Sequence, residues 1–176
     1  MITIRRATVA DADAVAALAV RLLPLGCPET KPEDLAAYIA AELTPARFRQ
    51  HLQDSNIMVL VGEHGPTLAG YMLIALRSAN ALVASPHCTE FRKLYVDPAH
   101  HGQGVAAGLM REALMLIEAD GGHPVWLSCF SENFRAQAFY KKHGFEIIGE
   151  QVFRMGNDPQ RDFVMLRAGS RDASTS

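Results

Sequence analysis

Two glycines, Gly102 and Gly104, lie between a strand-like stretch and a helix-like one. The residues before them, Glu90-Phe-Arg-Lys-Leu-Tyr-Val96, mix charged, aromatic and β-branched side chains, a strand composition. Asp97-Pro98 interrupts that run, because proline has no amide donor and turns its predecessor away from the helical region. From Val105 onward, Leu109, Met110, Leu114 and Ile117 recur at helical spacing. The pattern predicts a strand, a glycine loop and a helix whose first unpaired N–H groups face back into the loop. Unpaired amides and the helix dipole both favour negative charge there, and glycine lets a bulky phosphate come close. The chemistry is that of gripping a phosphate-bearing ligand.

Other readings of the same residues fare worse. Gly102, Gly104 and Ala107 satisfy the dinucleotide pattern G-x-G-x-x-G/A. That pattern turns directly off its strand and has an acidic residue about 20 positions on. Here Asp97–His101 intervenes, and Gly121, Gly122 and Pro124 occupy the later position. A P-loop would need Gly-Lys-Ser/Thr after the glycines, and none follows. His100 and His101 are adjacent, but zinc needs further ligands at suitable spacing, so they read as turn histidines and no metal is expected. Cys129 lies in a strand and could serve as a nucleophile, although a buried structural thiol is the preferred reading.

The elements around this stretch alternate between strand and helix. Ile2 and Ile4 mark a first strand. Asp11 caps or opens a helix carrying Val15, Leu18, Ala19 and Leu22 that is expected to end before Pro24, with a loop over 23–31. A helix after Pro32 carries Leu35, Tyr38, Ile39 and Leu43, and Thr44-Pro45 starts another through Phe48 and Leu52. Strands are expected over 57–61 and 68–76, the apolar run Gly70–Leu76 reading as a central strand buried on both faces. A loop over 78–88 precedes the organising stretch. Later come a strand over 124–129, a helix over 133–142, and strands over 145–152 and 162–167. In that last helix Phe134, Ala138 and Phe139 share a face, and Gly144 ends it. Residues 1–168 read as one domain and 169–176 as a small, polar, disordered tail.

The 176 residues suffice for a domain burying about two-thirds of its unfolded surface. A net charge of −2 with mixed signs suggests no nucleic-acid or anionic-membrane partner. No apolar run approaches the roughly 20 residues that span a bilayer, and the N-terminus lacks a secretion signal. Cys27, Cys88 and Cys129 form an odd, scattered set that fits a reducing, cytoplasmic compartment.

Two motifs resemble those of the GCN5-related N-acetyltransferase (GNAT) superfamily. Leu94-Tyr95-Val96-Asp97-Pro98, followed by His101-Gly102-Gln103-Gly104-Val105-Ala106, is similar to its acetyl-CoA motif, Gln/Arg-x-x-Gly-x-Gly/Ala after a strand. His101 stands where the family has Gln or Arg. Asn133-Phe-Arg-Ala-Gln-Ala-Phe-Tyr140-Lys-Lys-His-Gly-Phe145 resembles Asn-x-x-Ala-x-x-Phe/Leu-Tyr-x-x-x-Gly-Phe. A softer likeness, over Phe153–Asp162 together with Pro32–Phe48, is to the bacterial spermidine/spermine acetyltransferases.

The resemblance implies an α/β (α+β) fold: a single domain with a mixed central sheet of about six to seven strands, helices on both faces, and a splay between the fourth and fifth strands. It implies acetyl-CoA as cosubstrate and direct transfer to a primary amine of a small molecule, a polyamine being favoured. Protein or peptide acetylation and a non-catalytic acyl-CoA sensor are the alternatives. It further implies that Leu94, Tyr95 and Val96 pair with the pantetheine arm, the Val96 N–H serving as oxyanion donor. His101, Gly102, Gln103, Gly104, Val105, Ala106 and Ala107 would hold the pyrophosphate, and Asn133 would contact the coenzyme. Glu90 is the expected general base, and Tyr140 the acid for the departing sulfur and a coenzyme contact. Glu29, Glu33, Asp34 and Glu42 are candidates for an acidic acceptor lining, and solvated helix faces explain them equally well. Dimers are common in the superfamily, so a second copy of the chain is a partner to consider.

Overall fold

The computed structural model describes residues 1–170. Its element order is β1 (Ile2–Arg6), α1 (Ala12–Gly26), α2 (Pro32–Glu42), α3 (Pro45–Gln53), β2 (Ile57–His64), β3 (Thr67–Ala75), β4 (Thr89–Val96), α4 (Val105–Ala119), β5 (Val125–Phe130), α5 (Phe134–Lys142), β6 (Glu146–Met155) and β7 (Asp158–Arg167). The strands form one seven-stranded sheet in the order β1-β2-β3-β4-β5-β7-β6. All its pairings are antiparallel except β4 with β5. Of the tail expected over 169–176, residues 171–176 lie outside the described residues.

Side-chain alternation along the strands explains the continuous apolar runs. On one face Leu60, Met72, Ile74 and Leu127 pack against Leu109, Met110 and Ala113 of α4. On the other, Val59, Val61, Tyr71 and Leu73 pack against Val15, Leu18 and Leu22 of α1 and Phe48 of α3. Each apolar residue along β3 therefore finds a covered face, and the strand needs no polar alternation. A third cluster sets Trp126 against Val83, Cys88 and Val164, under the loop before β4. The Trp126 indole N–H donates to the Ser78 carbonyl at 2.7 Å.

Close approach of α4 to the sheet positions the glycine loop. A Cβ at Gly62 would lie 2.9 Å from Val105 Cγ1, and one at Gly70 would lie 2.8 Å from the Tyr95 carbonyl oxygen. Only strands bare at these two points let the first turn of α4 settle against them.

Several boundaries depart from expectation. Helix α1 continues past Pro24 to Gly26. The proline falls in the last turn, where buried Leu22 and Leu23 hold the helix to the core despite one lost backbone bond. Asp11 does not cap α1 with its side chain. It accepts instead from the Arg5 guanidinium at 2.8 and 2.9 Å and from the Thr8 amide at 2.7 Å. The Arg5 bonds hold its carboxyl well below the usual range. Strand β2 extends to His64, and β6 and β7 run longer than expected because each supplies the other's ladder. Phe134 is 73% exposed and Ala138 also faces solvent, whereas Gln137 is buried on the inner side of α5. Gln137 donates to the carbonyls of Phe130 and Ser131 at 3.3 and 2.9 Å, tying α5 to the end of β5.

Candidate active site

The site begins where two parallel strands part. β4 and β5 pair only from Thr89 to Phe91 against Val125 to Leu127. On its other edge β4 continues against β3, with Leu73 opposite Lys93 and Ile74 opposite Phe91. Arg92 is thus an extra residue, a bulge, at the point where β4 leaves β5. A bulged strand bends and twists, which accounts for the divergence. Asp97 donates its N–H to the Ala69 carbonyl at 2.8 Å on the β3 side. In an antiparallel ladder successive residues face opposite ways, so the N–H groups of Val96 and Leu94 turn toward the gap. These two residues therefore offer backbone groups along the opening.

At the end of β4 lies the glycine loop. Asp97 accepts from the Ala99 amide at 3.0 Å and from Arg21 at 2.5 Å, and these bonds, Arg21 first, hold its carboxyl below the ordinary range. Gly102 and Gly104 have φ of 78° and 82°, a left-handed conformation that L side chains resist. A Cβ at either would meet nothing within 4 Å, so the concavity is open. Gly104 is the N-cap of α4 and offers no capping side chain. The first amides of the helix, at Val105, Ala106 and Ala107, are accordingly free for an anion. His101 contributes through its ring, Nε2 lying 3.2 Å from the Val96 carbonyl, while Gln103 bonds back to the Ala99 carbonyl at 3.2 Å.

A cavity of about 440 Å³ opens through the gap and is lined by residues of both strands and of α1, α2, α3 and α5. Glu90, Leu94, Tyr95, Asn133 and Tyr140 all line it. Tyr140 packs its ring edgewise on Phe139 and Phe145, centroids 5.5 and 6.0 Å away. Its hydroxyl has no hydrogen-bond partner among the described residues. Burial, with a smaller contribution from Cys129, pushes the phenol well above its ordinary value, so it keeps its proton. Asn133 caps α5, its Oδ1 accepting from the Ala136 amide at 3.0 Å, which leaves its NH₂ group available. Glu90 accepts from Ser78 at 2.7 Å and from Arg92 at 2.8 Å. Both bonds fall on Oε2, so Oε1 has no protein partner among the described residues. Tyr95 stacks on Tyr71 of β3 at 5.8 Å, joining the two strands through their side chains.

The remaining candidate side chains differ in their surroundings. Cys129 is buried, and burial followed by the charge of Asp162 pushes its thiol up to about 11, so it is not a thiolate near neutral pH. Of the acidic candidates only Glu42 reaches the cavity, and it pairs with Arg47 at 3.3 Å. Glu29 and Glu33 are exposed, and buried Asp34 accepts from the Asn157 amide at 3.1 Å, stapling α2 to the β6–β7 turn. His100 contacts His64 edgewise at 5.2 Å, and no group of three or more metal-binding side chains occurs among the described residues. Among those residues, no helix is long and apolar enough to cross a membrane. Sequence reasoning missed Ser128, Lys93, Tyr38 and Asp162, which also line the cavity. A lone acid opening the apolar run Phe163-Val-Met-Leu166 was the available signal for Asp162.

Comparison with known proteins points the same way. The sequence model of the family described as "Acetyltransferase (GNAT) family" matches residues 23–145. An uncharacterised N-acetyltransferase of Mycobacterium tuberculosis is 38% identical over 158 residues, covering 89% of this chain and 97% of that protein. The N-alpha-acetyltransferase RimI of the same organism is 29% identical over 132 residues, covering 74% of this chain and 77% of its own length. Among solved structures, the PaiA N-acetyltransferase of Thermoplasma acidophilum, in complex with coenzyme A, superposes with a TM-score of 0.76 at 18% identity. That match covers 96% of this chain and 99% of the other, a likeness of fold.

Proposed function

The chain belongs to the acetyltransferase (GNAT) family and is an N-acetyltransferase, and on that premise we propose that it transfers the acetyl group of acetyl-CoA directly to a primary amine of a small molecule, a polyamine being favoured. The observation that carries this reading is the gap between β4 and β5, with a cavity lined by Glu90 and Tyr140 along it and the open glycine loop following the end of β4. The pyrophosphate sits in the loop from Gly102 to Ala107, on the free amides at the start of α4, and the pantetheine arm pairs with Leu94–Val96 as a short third strand. Its thioester then reaches the cavity.

Transfer requires the amine to lose a proton, the tetrahedral oxygen to find a donor, and the thiolate to leave. An alkylammonium has a pKa near 10, so only about one molecule in a thousand is nucleophilic at pH 7. Glu90 takes that proton, directly or through water. The nitrogen attacks the thioester carbon, and the Val96 N–H stabilises the oxyanion. Collapse breaks the carbon–sulfur bond, Tyr140 donates its proton to the departing sulfur, and the proton in excess on the nitrogen restores the phenol. The Glu90→Gln variant is expected to lose about tenfold to a hundredfold in rate at pH 7 and to recover toward pH 10, where free amine is abundant. A deficit that stays flat across pH assigns proton removal to another group.

Release of free thiol from acetyl-CoA, followed colorimetrically with a panel of amines, tests the function. Turnover with polyamines above that with amino acids and peptides is the expected result. Turnover confined to peptides bearing a free N-terminus supports protein acetylation, the reading favoured by the likeness to RimI. Coenzyme binding without turnover on any amine would make the protein a sensor.

A further inference from the structure

Asp162 is a charged side chain that the transfer chemistry above leaves unused. It lies in β7, opposite Phe130 of β5 and Gln151 of β6, is 6% exposed, and lines the cavity. A chain of donors ends on it. Asn80 donates to the Gln151 side-chain oxygen at 3.2 Å, Gln151 donates to the Ser128 hydroxyl at 3.2 Å, and Ser128 donates to Asp162 Oδ2 at 2.5 Å. Every link points toward the carboxyl, an arrangement that favours its charged form. Burial works against that form and raises the carboxyl above its ordinary value.

What the group lacks is a cation. The cavity's basic side chains are engaged with other partners. Arg92 meets Glu90 at 2.8 Å, Arg47 meets Glu42 at 3.3 Å, and Lys93 donates to the Tyr38 hydroxyl at 2.6 Å. His51 has its basicity lowered, first by burial and then by Arg47. No ion pair to Asp162 occurs among the described residues. A buried carboxylate is unfavourable unless it is paired, and a cationic ligand supplies the missing partner. Glu90 lies opposite Trp126, and Asp162 opposite Phe130, four residues farther along β5. That spacing corresponds to about 13 Å of strand before the side chains reach inward.

We propose that Asp162 is the subsite for a second, non-reacting ammonium group of the acceptor, selecting diamines over monoamines. Glu90 serves the reacting nitrogen at one end of the cavity and Asp162 anchors the other nitrogen, with Ser128 fixing the carboxylate. The inference rests on the reading of the protein as a small-amine acetyltransferase and on Glu90 as its base.

The test compares 1,4-diaminobutane with n-butylamine, in acetyl-CoA turnover and in calorimetric binding to the full chain with coenzyme A present. Wild-type protein is expected to prefer the diamine by about tenfold or more in kcat/KM and in affinity. Asp162→Asn lowers diamine turnover and affinity to the level of n-butylamine and so abolishes that preference, while retained coenzyme A binding reports that the variant is folded. Ser128→Ala keeps the carboxyl, lowers the preference by about threefold, and serves if Asp162→Asn does not fold. An Asp162→Asn protein that still binds coenzyme A and prefers the diamine overturns the proposal, as does a wild type with no preference. Failure of the transfer reading looks different: neither amine is acetylated, while calorimetry still reports whether diamine binding depends on Asp162.

Discussion

Tyr140→Phe is expected to lower kcat about a hundredfold, far more than it weakens coenzyme A binding, with Tm unchanged. The substitution removes one oxygen and keeps the ring. Contacts with Phe139 and Phe145 are therefore preserved, and no hydrogen bond within the described residues is lost. What disappears is the proposed donor for the leaving sulfur. A thiol has a pKa near 8.5, so its thiolate departs with less help than an alkoxide, which puts the effect at the lower end of general-acid contributions. Burial raises the phenol's pKa, and the same desolvation would raise that of a thiolate bound beside it, so the two shifts offset in part. Stopped-flow acetyl transfer and a coenzyme A titration on the same variant separate the chemical step from binding. A kcat within threefold of wild type removes Tyr140 from the mechanism.

Where one local rule governs a segment, the sequence was sufficient. Gly102 and Gly104 marked a loop between a strand and a helix, and both lie in one, between β4 and α4, each with left-handed backbone. Thr44-Pro45 marked a helix start, and the Thr44 hydroxyl accepts the Arg47 amide at 3.1 Å. Where a partner segment decides, local rules were overridden. Pro24 reads as a stop, yet the core contacts of its neighbours carry α1 one turn further. Pro159 hides the start of β7, because the ladder there is supplied by β6, with Arg154 opposite it. The exposed Phe134 reverses the simplest reading of α5, since the inner face is anchored by Gln137 and the end of β5. Asp162 was legible only as an oddity in an apolar strand. Its significance depends on the Ser128–Gln151–Asn80 chain, drawn from three separate elements. The gap itself depends on a bulge at Arg92, a matter of register between β3 and β4 that composition does not encode.

Gly104→Val is expected to weaken coenzyme A binding by two orders of magnitude or more. The position has φ of 82°, where a β-branched residue is a strong outlier. Relaxing φ to negative values swings the peptide into α4 and turns the first amides of the helix away from the concavity. Hydrogen bonds to a charged group contribute about 1.5–3 kcal/mol each, so losing two of them costs about 3–6 kcal/mol, or 10²–10⁴ in Kd. Gly65→Val separates this from backbone strain in general. Gly65 also has a left-handed φ, 59°, and a Cβ there meets nothing within 4 Å, but it sits in the β2–β3 turn with no proposed coenzyme contact. Both variants should lower Tm, because both force an L side chain into an unfavourable region. Only Gly104→Val should lose the coenzyme. Calorimetric titration of coenzyme A into the two folded variants decides the matter. Equal affinities would mean that the phosphates are held somewhere other than the start of α4.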